Sequence, residues 1–148
     1  MEINGKDVYF VAVKLLLRDG NKLLITHDVF GSWDLPGGRI KKDEFNNPLE
    51  SIIERKMKEE IGTKVSYSIG EPKVFFRVER QEHGIDMKVR IFAIGYEAAY
   101  TSGGIELGEH HDEYRWVDVN TFKPEELFEG GWKSGLEEYL EIISSKEG

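Results

Sequence analysis

Two adjacent carboxylates, Glu59 and Glu60, stand at the end of a segment whose apolar residues recur at helical spacing. At about 100° per residue, Leu49, Ile52, Ile53, Met57 and Ile61 share one face of a helix, and Glu60 falls near the middle of it. Glu59 lies on the flank of that face, one turn beyond Arg55, while Glu54 points to the far side. Both acids occupy the last turn, where the helix macrodipole disfavours negative charge by about 0.3 to 1 kcal/mol each. Salt bridges from Lys56 to Glu60 and from Arg55 to Glu59 would relieve part of this. A hard divalent cation would relieve more, because paired carboxylates facing a backbone turn rich in carbonyls supply the oxygen ligands such an ion takes. The turn precedes the helix: Gly31 to Gly38 reads GSWDLPGG.

That chemistry needs charge compensation and a base. An anionic substrate brought to such a cation repels attacking hydroxide, so hydrolysis there calls for the cation and for a group that activates water. Arg39 has the fork geometry that suits a phosphate, and Arg55 is placed to orient a carboxylate, a role that competes evenly with a simple surface ion pair. His27 and His83 stand apart from other candidate groups and read as surface residues. Phe75, Phe76 and Tyr96 read as core by alternation, with room for one exception facing a cleft.

The elements that must position these groups follow from pattern. Val8 to Arg18 and Lys22 to His27 read as antiparallel strands joined at Asp19, Gly20 and Asn21. Asn47 is expected to cap the helix, with Pro48 in its first position, Glu50 completing a capping box, and Gly62 as its stop. Strands return at Val74 to Val78, Met87 to Tyr96 and Tyr114 to Val117, with Gly103 to Asp112 as a polar loop. Pro124 to Phe128 reads as a short helix. Leu136, Tyr139, Leu140 and Ile143 mark a longer one, on which the acids, like Glu125 and Glu126 before them, form solvated faces. This is an α+β layout, a mixed sheet with one central and one terminal helix, and residues 1–148 form a single domain.

These residues resemble the signature of the Nudix hydrolases, GX5EX7REUXEEXGU with U aliphatic. Gly38 to Glu44 fits its first part, and Arg55 with Glu59-Glu60-Ile61-Gly62 fits its last. Trp33-Asp34-Leu35-Pro36 and Tyr114-Arg115-Trp116-Val117 are also similar to segments of that family. Two departures stand out. Ten residues, 45–54, separate Glu44 from Arg55 where the pattern has seven, so Phe45 to Pro48 lengthen the loop; and the position after Arg55 holds Lys56 in place of a glutamate. Pro36 to Glu44 and Glu109 to Trp116 resemble the GDP-mannose mannosyl hydrolases within the family, although that group's strand aspartate and its arginines have no clear counterparts.

The resemblance implies a Nudix-type α/β/α sandwich, MutT-like, and Mg²⁺ or Mn²⁺ held by the Gly38 carbonyl, Glu60 and His110, with His111 as catalytic base. From the residues themselves Glu59 joins the metal ligands, and an ordinary imidazole pKa of about 6.5 suits His111 to take a proton from water near neutral pH. Glu109 competes for that role. The expected reaction is metal-dependent hydrolysis of a nucleoside diphosphate linked to another moiety, with water attacking phosphorus. Attack at a sugar carbon, or a nucleotide-binding domain without catalysis, to which Lys56 points, are the alternatives.

Bulk properties bound the rest. The chain has 148 residues, no cysteine, 39% hydrophobic residues and a net charge of −8 from 20 basic and 28 acidic side chains. That fits one domain with its own core. It excludes disulfide scaffolds, zinc ribbons and thiol nucleophiles, and fits a cytoplasmic setting. It also argues against a grip on duplex nucleic acid, which needs clustered positive charge. Val8 to Leu17 is interrupted by Lys14, so neither a signal peptide nor a membrane span is expected. The expected partner is a small nucleotide, with a homodimer left open.

Overall fold

The computed structural model describes residues 2–147. Its centre is strand β3 (Phe10–Asp19), whose near-continuous apolar run is buried on both sides, as expected of a strand with a helix over each face. Val13, Leu15 and Leu17 project to one side and pack with Ile52, Ile53, Met57 and Ile61 of helix α1 (Leu49–Ile61). Ala12 and Leu16 project to the other and pack with Leu136, Tyr139 and Ile143 of α2 (Gly130–Glu147). Burying a Leu or Ile side chain contributes about 1.5 to 3 kcal/mol, so these two layers hold the sandwich together.

The other strands are β4 (Lys22–Asp28), β5 (Trp33–Asp34), β6 (Gly37–Arg39), β7 (Ser66–Gln81), β8 (Lys88–Ser102) and β9 (His111–Asp118). They join β3 in one seven-stranded sheet ordered β5-β4-β3-β8-β7, with β6 beside β3 and β9 beside β4. The β3–β8 pair is parallel and the others are antiparallel, so the sheet is mixed, and the expected α/β/α sandwich is the fold observed.

One feature of register creates the cleft. β3 and β4 pair only at Arg18↔Leu23 and Asp19↔Lys22, next to their turn. Beyond that they part, and β6 takes the vacated side of β3 at Ala12 to Lys14, while β9 follows β4 along its whole length. A gap opens in the sheet between the two pairs. No helix among the described residues is long and apolar enough to cross a membrane.

Several boundaries differ from the sequence reading. Helix α1 begins at Leu49 with Pro48 as its N-cap and no side-chain cap; Asn47 takes no such part, and the Ser51 hydroxyl donates to the Pro48 carbonyl at 2.7 Å. Strand β9 starts at His111 rather than Tyr114, because pairing with β4, across an irregularity at His27/Asp28, draws polar residues into the ladder. The final short helix is a 3₁₀ turn, Pro124–Glu126. Ahead of β3 lies a two-stranded ribbon of β1 (Glu2–Ile3) and β2 (Lys6–Asp7), turned by Asn4 and Gly5 at φ 53° and 76°. Asn-Gly is a strong hairpin signal, but the sequence reading starts its strands at Val8 and passes over this ribbon.

Candidate active site

Glu60 is 9% exposed, as its place on the apolar face of α1 requires. Its Oε2 accepts the Gly37 N–H at 2.8 Å, and the Lys56 ammonium lies 3.7 Å from Oε1. Burial pushes this carboxyl above the ordinary carboxylate range, against the opposing pull of Lys14, the Gly37 N–H and Lys56. Gly37 is held at φ 137°, and a Cβ there would stand 2.1 Å from the Val13 carbonyl oxygen. Only glycine allows β6 to lie against β3 and still present an N–H to the helix.

Glu59 is more exposed. Its Oε1 accepts from Arg55 Nη1 at 3.3 Å, and Lys56 Nζ lies 3.3 Å from Oε2. Partial burial works against ionisation, but Lys56 and Arg55 together hold the carboxyl below its usual value. Arg55 also grips Glu44 in a fork, Nε to Oε2 at 2.7 Å and Nη2 to Oε1 at 2.8 Å, and the Lys41 N–H adds a third bond at 2.9 Å. These bonds, the Arg55 pair first, hold Glu44 below its ordinary carboxylate value. The longer loop at Phe45 to Pro48 therefore leaves Glu44 docked, because the 3₁₀ turn Lys42–Glu44 delivers it to the helix. The carboxylate that Arg55 was expected to orient is thus two carboxylates.

The histidine segment arrives by capping the same helix. The Glu106 N–H donates to the Ile61 carbonyl at 2.9 Å and the Gly108 N–H to the Glu60 carbonyl at 3.1 Å, satisfying carbonyls that the end of α1 leaves open. His111 enters β9 immediately afterwards and is half-buried. Its Nδ1 is buried and has no hydrogen-bond partner among the described residues. Burial pushes the imidazole pKa down, assisted by Lys14 and Lys56 and opposed by Asp34 and Asp28.

Some of these groups line one cavity of about 200 Å³ in the gap between β3 and β4, while Glu44, Arg55 and Glu59 stand outside its lining. Gly37, Gly38, Lys56, Glu60, His110 and His111 face it together with Lys14, Asp34, Arg80, His83, Phe30 and Trp132. His110 is mostly exposed at the rim, 3.5 Å from Glu109, which is 87% exposed and absent from the lining. The Arg39 guanidinium is bound in a fork to Glu82 at 2.6 and 3.1 Å and stacks over Phe10, so its donors are engaged within the protein. Gly38 faces Val13 in β6–β3. The bonds flanking it, Ile40 N–H to Val11 C=O and Leu15 N–H to Pro36 C=O, set a parity that turns the Gly38 carbonyl toward β3 and leaves it one lone pair to offer.

Two histidines have more company than the sequence suggested. His83 stacks on Phe30 with ring centroids 4.3 Å apart and contacts Arg80 at the cleft mouth. His27 is half-buried, its Nδ1 2.6 Å from Asp112 and its ring edge-on to Trp33. Lys14 and Asp34 were also passed over as site residues. The interruption of an apolar strand by Lys14 was their signal: its ammonium is buried, 3.1 Å from Asp34, and lies over the Trp132 ring.

The fit to a metal is narrow. Among the described residues no three His, Asp or Glu side chains converge as a ready cage. Glu59 and Glu60 are nonetheless adjacent oxygen donors, and Glu60 is a buried carboxylate whose ionised form a cation would favour. Mg²⁺ commonly binds through one or two carboxylates, completing its shell with water and substrate phosphate. The donor set suits one such ion.

The model of the NUDIX domain matches residues 8–135, a span that contains every residue of this site. The chain belongs to the NUDIX family of hydrolases. Among solved structures it is similar in fold to a MutT protein from Methanosarcina mazei Go1, at 22% identity and a TM-score of 0.71, covering 95% of this chain and 96% of that one. An ADP-ribose pyrophosphatase from Streptococcus suis 89-1591 superposes at 11% identity and a TM-score of 0.65, covering 95% and 94%. A Caenorhabditis elegans Ap4A hydrolase does so at 13% and 0.66, covering 92% and 98%. No protein of curated function matches the chain in sequence.

Proposed function

We propose that this Nudix protein hydrolyses a nucleoside diphosphate linked to a second moiety, with water attacking phosphorus and the P–O bond of the diphosphate breaking. The observation that carries the reading is the meeting in one cavity of a buried carboxylate, Glu60, and a buried imidazole nitrogen without a partner, on His111. Relatives in fold include enzymes named for ADP-ribose and for Ap4A, substrates that share such a diphosphate unit.

Glu59 and Glu60 would hold Mg²⁺ or Mn²⁺, with the Gly38 carbonyl and His110 as further ligands within the family pattern. The ion, when bound, supplies positive charge to the phosphate oxygens. His111 is kept neutral at pH 7 by burial, so it can accept a proton from the attacking water. Glu109 is the second candidate for that proton, and its exposure at the rim makes it the weaker one. Arg55 positions rather than reacts, holding Glu44 and Glu59 from opposite sides. Arg39 would reach a phosphate only by leaving Glu82.

Product identity tests the reading. With Mg²⁺ and a panel that includes ADP-ribose and GDP-mannose, phosphorus attack yields a nucleoside monophosphate and the phosphorylated second moiety. Release of nucleoside diphosphate would instead show attack at carbon. Glu60→Gln should abolish turnover; an unchanged rate would remove α1 from the catalytic reading, whereas nucleotide binding without Mg²⁺ and without any product from the wild type would leave a nucleotide-binding domain.

A further inference from the structure

Lys56 stands where an acid-rich site would be expected to take a cation. Its ammonium lies 3.3 Å from Glu59 Oε2 and 3.7 Å from Glu60 Oε1, with the side chain 23% exposed. It is held there from the strand side as well. A Cβ on Gly38 would meet Lys56 Cε at 2.4 Å and Nζ at 3.2 Å, so the bare glycine leaves the space through which the lysine stem runs into the cavity.

The charges decide what this does. Glu44, Glu59 and Glu60 face Arg55 and Lys56, three negative groups against two positive, while the nearby Lys14 and Asp34 neutralise one another. Asp28 and Arg80, which also line the cavity, carry opposite charges, so one net negative charge remains, and a second divalent ion would enter against a net positive site once the first is bound. An acid in place of Lys56 would leave three, since it removes a cation and adds an anion. We propose that Lys56 is a resident cation of this site, taking the place of a second metal ion and facing the substrate phosphates with its own fixed charge. The inference rests on the reading of the cleft as a metal-assisted hydrolase site.

Manganese binding to the 148-residue chain, followed by electron paramagnetic resonance and calorimetry, tests it. The wild type should bind one Mn²⁺ per chain, and Lys56→Glu two. Lys56→Gln removes the charge without adding a ligand, so it should still bind one ion but at least about tenfold more tightly, because a unit charge a few ångströms away is worth more than that factor in a partly buried site. Lys56→Arg, keeping the charge, should behave as wild type. Two ions on the wild type, or an unaltered count in a folded Lys56→Glu together with unaltered affinity in Lys56→Gln, would overturn the inference while leaving the hydrolase reading intact. Absence of Mn²⁺ binding and of turnover in the wild type would overturn both.

Discussion

At the scale of single residues, burial pushes two titratable groups of the site in opposite directions. His111 is pushed below the ordinary imidazole value, so the activity should rise with pH along a limb whose midpoint lies below about 6.5. His111→Gln should remove that limb and lower kcat by about 10² to 10⁴, the usual contribution of a general base, whereas Glu109→Gln should change little. A pH–rate profile of the three proteins checks this, and a limb that follows Glu109 would reassign the base. Glu60 is raised, so its favourable contribution to folding is full below the unfolded value near 4.5 and is lost as pH climbs through the higher folded value. At neutral pH without metal the buried charge is a burden. Glu60→Gln should therefore raise the Tm of the metal-free protein by a few degrees at pH 7 and by less at pH 4, in thermal melts, even as it abolishes turnover. Evolution of a more stable side chain here would remove function, the usual mark of an active-site group. Glu60 was legible in the sequence because the wheel placed a carboxylate among Ile52, Ile53, Met57 and Ile61. Lys14 was less so, since only contact with Asp34, Leu35 and Trp132 explains a lysine inside a core strand.

At the scale of elements, β6 and the end of α1 do the positioning. Gly37 makes both contacts possible, and Gly37→Ala would combine a clash with the Val13 carbonyl and a φ of 137° that an alanine rarely adopts. The substitution should destabilise by at least about 1 to 3 kcal/mol in denaturant unfolding and lower activity more than stability alone explains. An unchanged midpoint would mean that β6 does not depend on that glycine. Helix α1 was legible because its periodicity is strong and Gly62 ends it, whereas its start was misassigned: Asn47 and Pro48 satisfy a capping pattern that the chain, entering from the 3₁₀ turn, does not use. The start of β9 escaped for a different reason. His111, Asp112 and Glu113 have no local preference for a strand, and only partners on β4 across the sheet make them one.

At the scale of the whole molecule, the cleft is a property of topology. It exists because β3 and β4 separate two pairs beyond their turn and different strands fill the two sides. No short stretch of sequence encodes that, which is why the fold class and the helix acids could be read locally while Phe30, Arg80 with His83, and Trp132, drawn from three separate segments, could not. A ligand that binds only the folded cleft must stabilise the whole chain. Mg²⁺ at about 100 times its dissociation constant should add about 2.7 kcal/mol, seen as a higher Tm in the wild type and not in Glu60→Gln. Equal shifts in both proteins would place the ion elsewhere. The most direct test is anomalous scattering from crystals soaked in MnCl₂ with a non-hydrolysable nucleotide. A manganese peak in contact with the carboxylates of Glu59 and Glu60 is the expected result; a map with no peak beside them would contradict the metal site proposed for the end of α1.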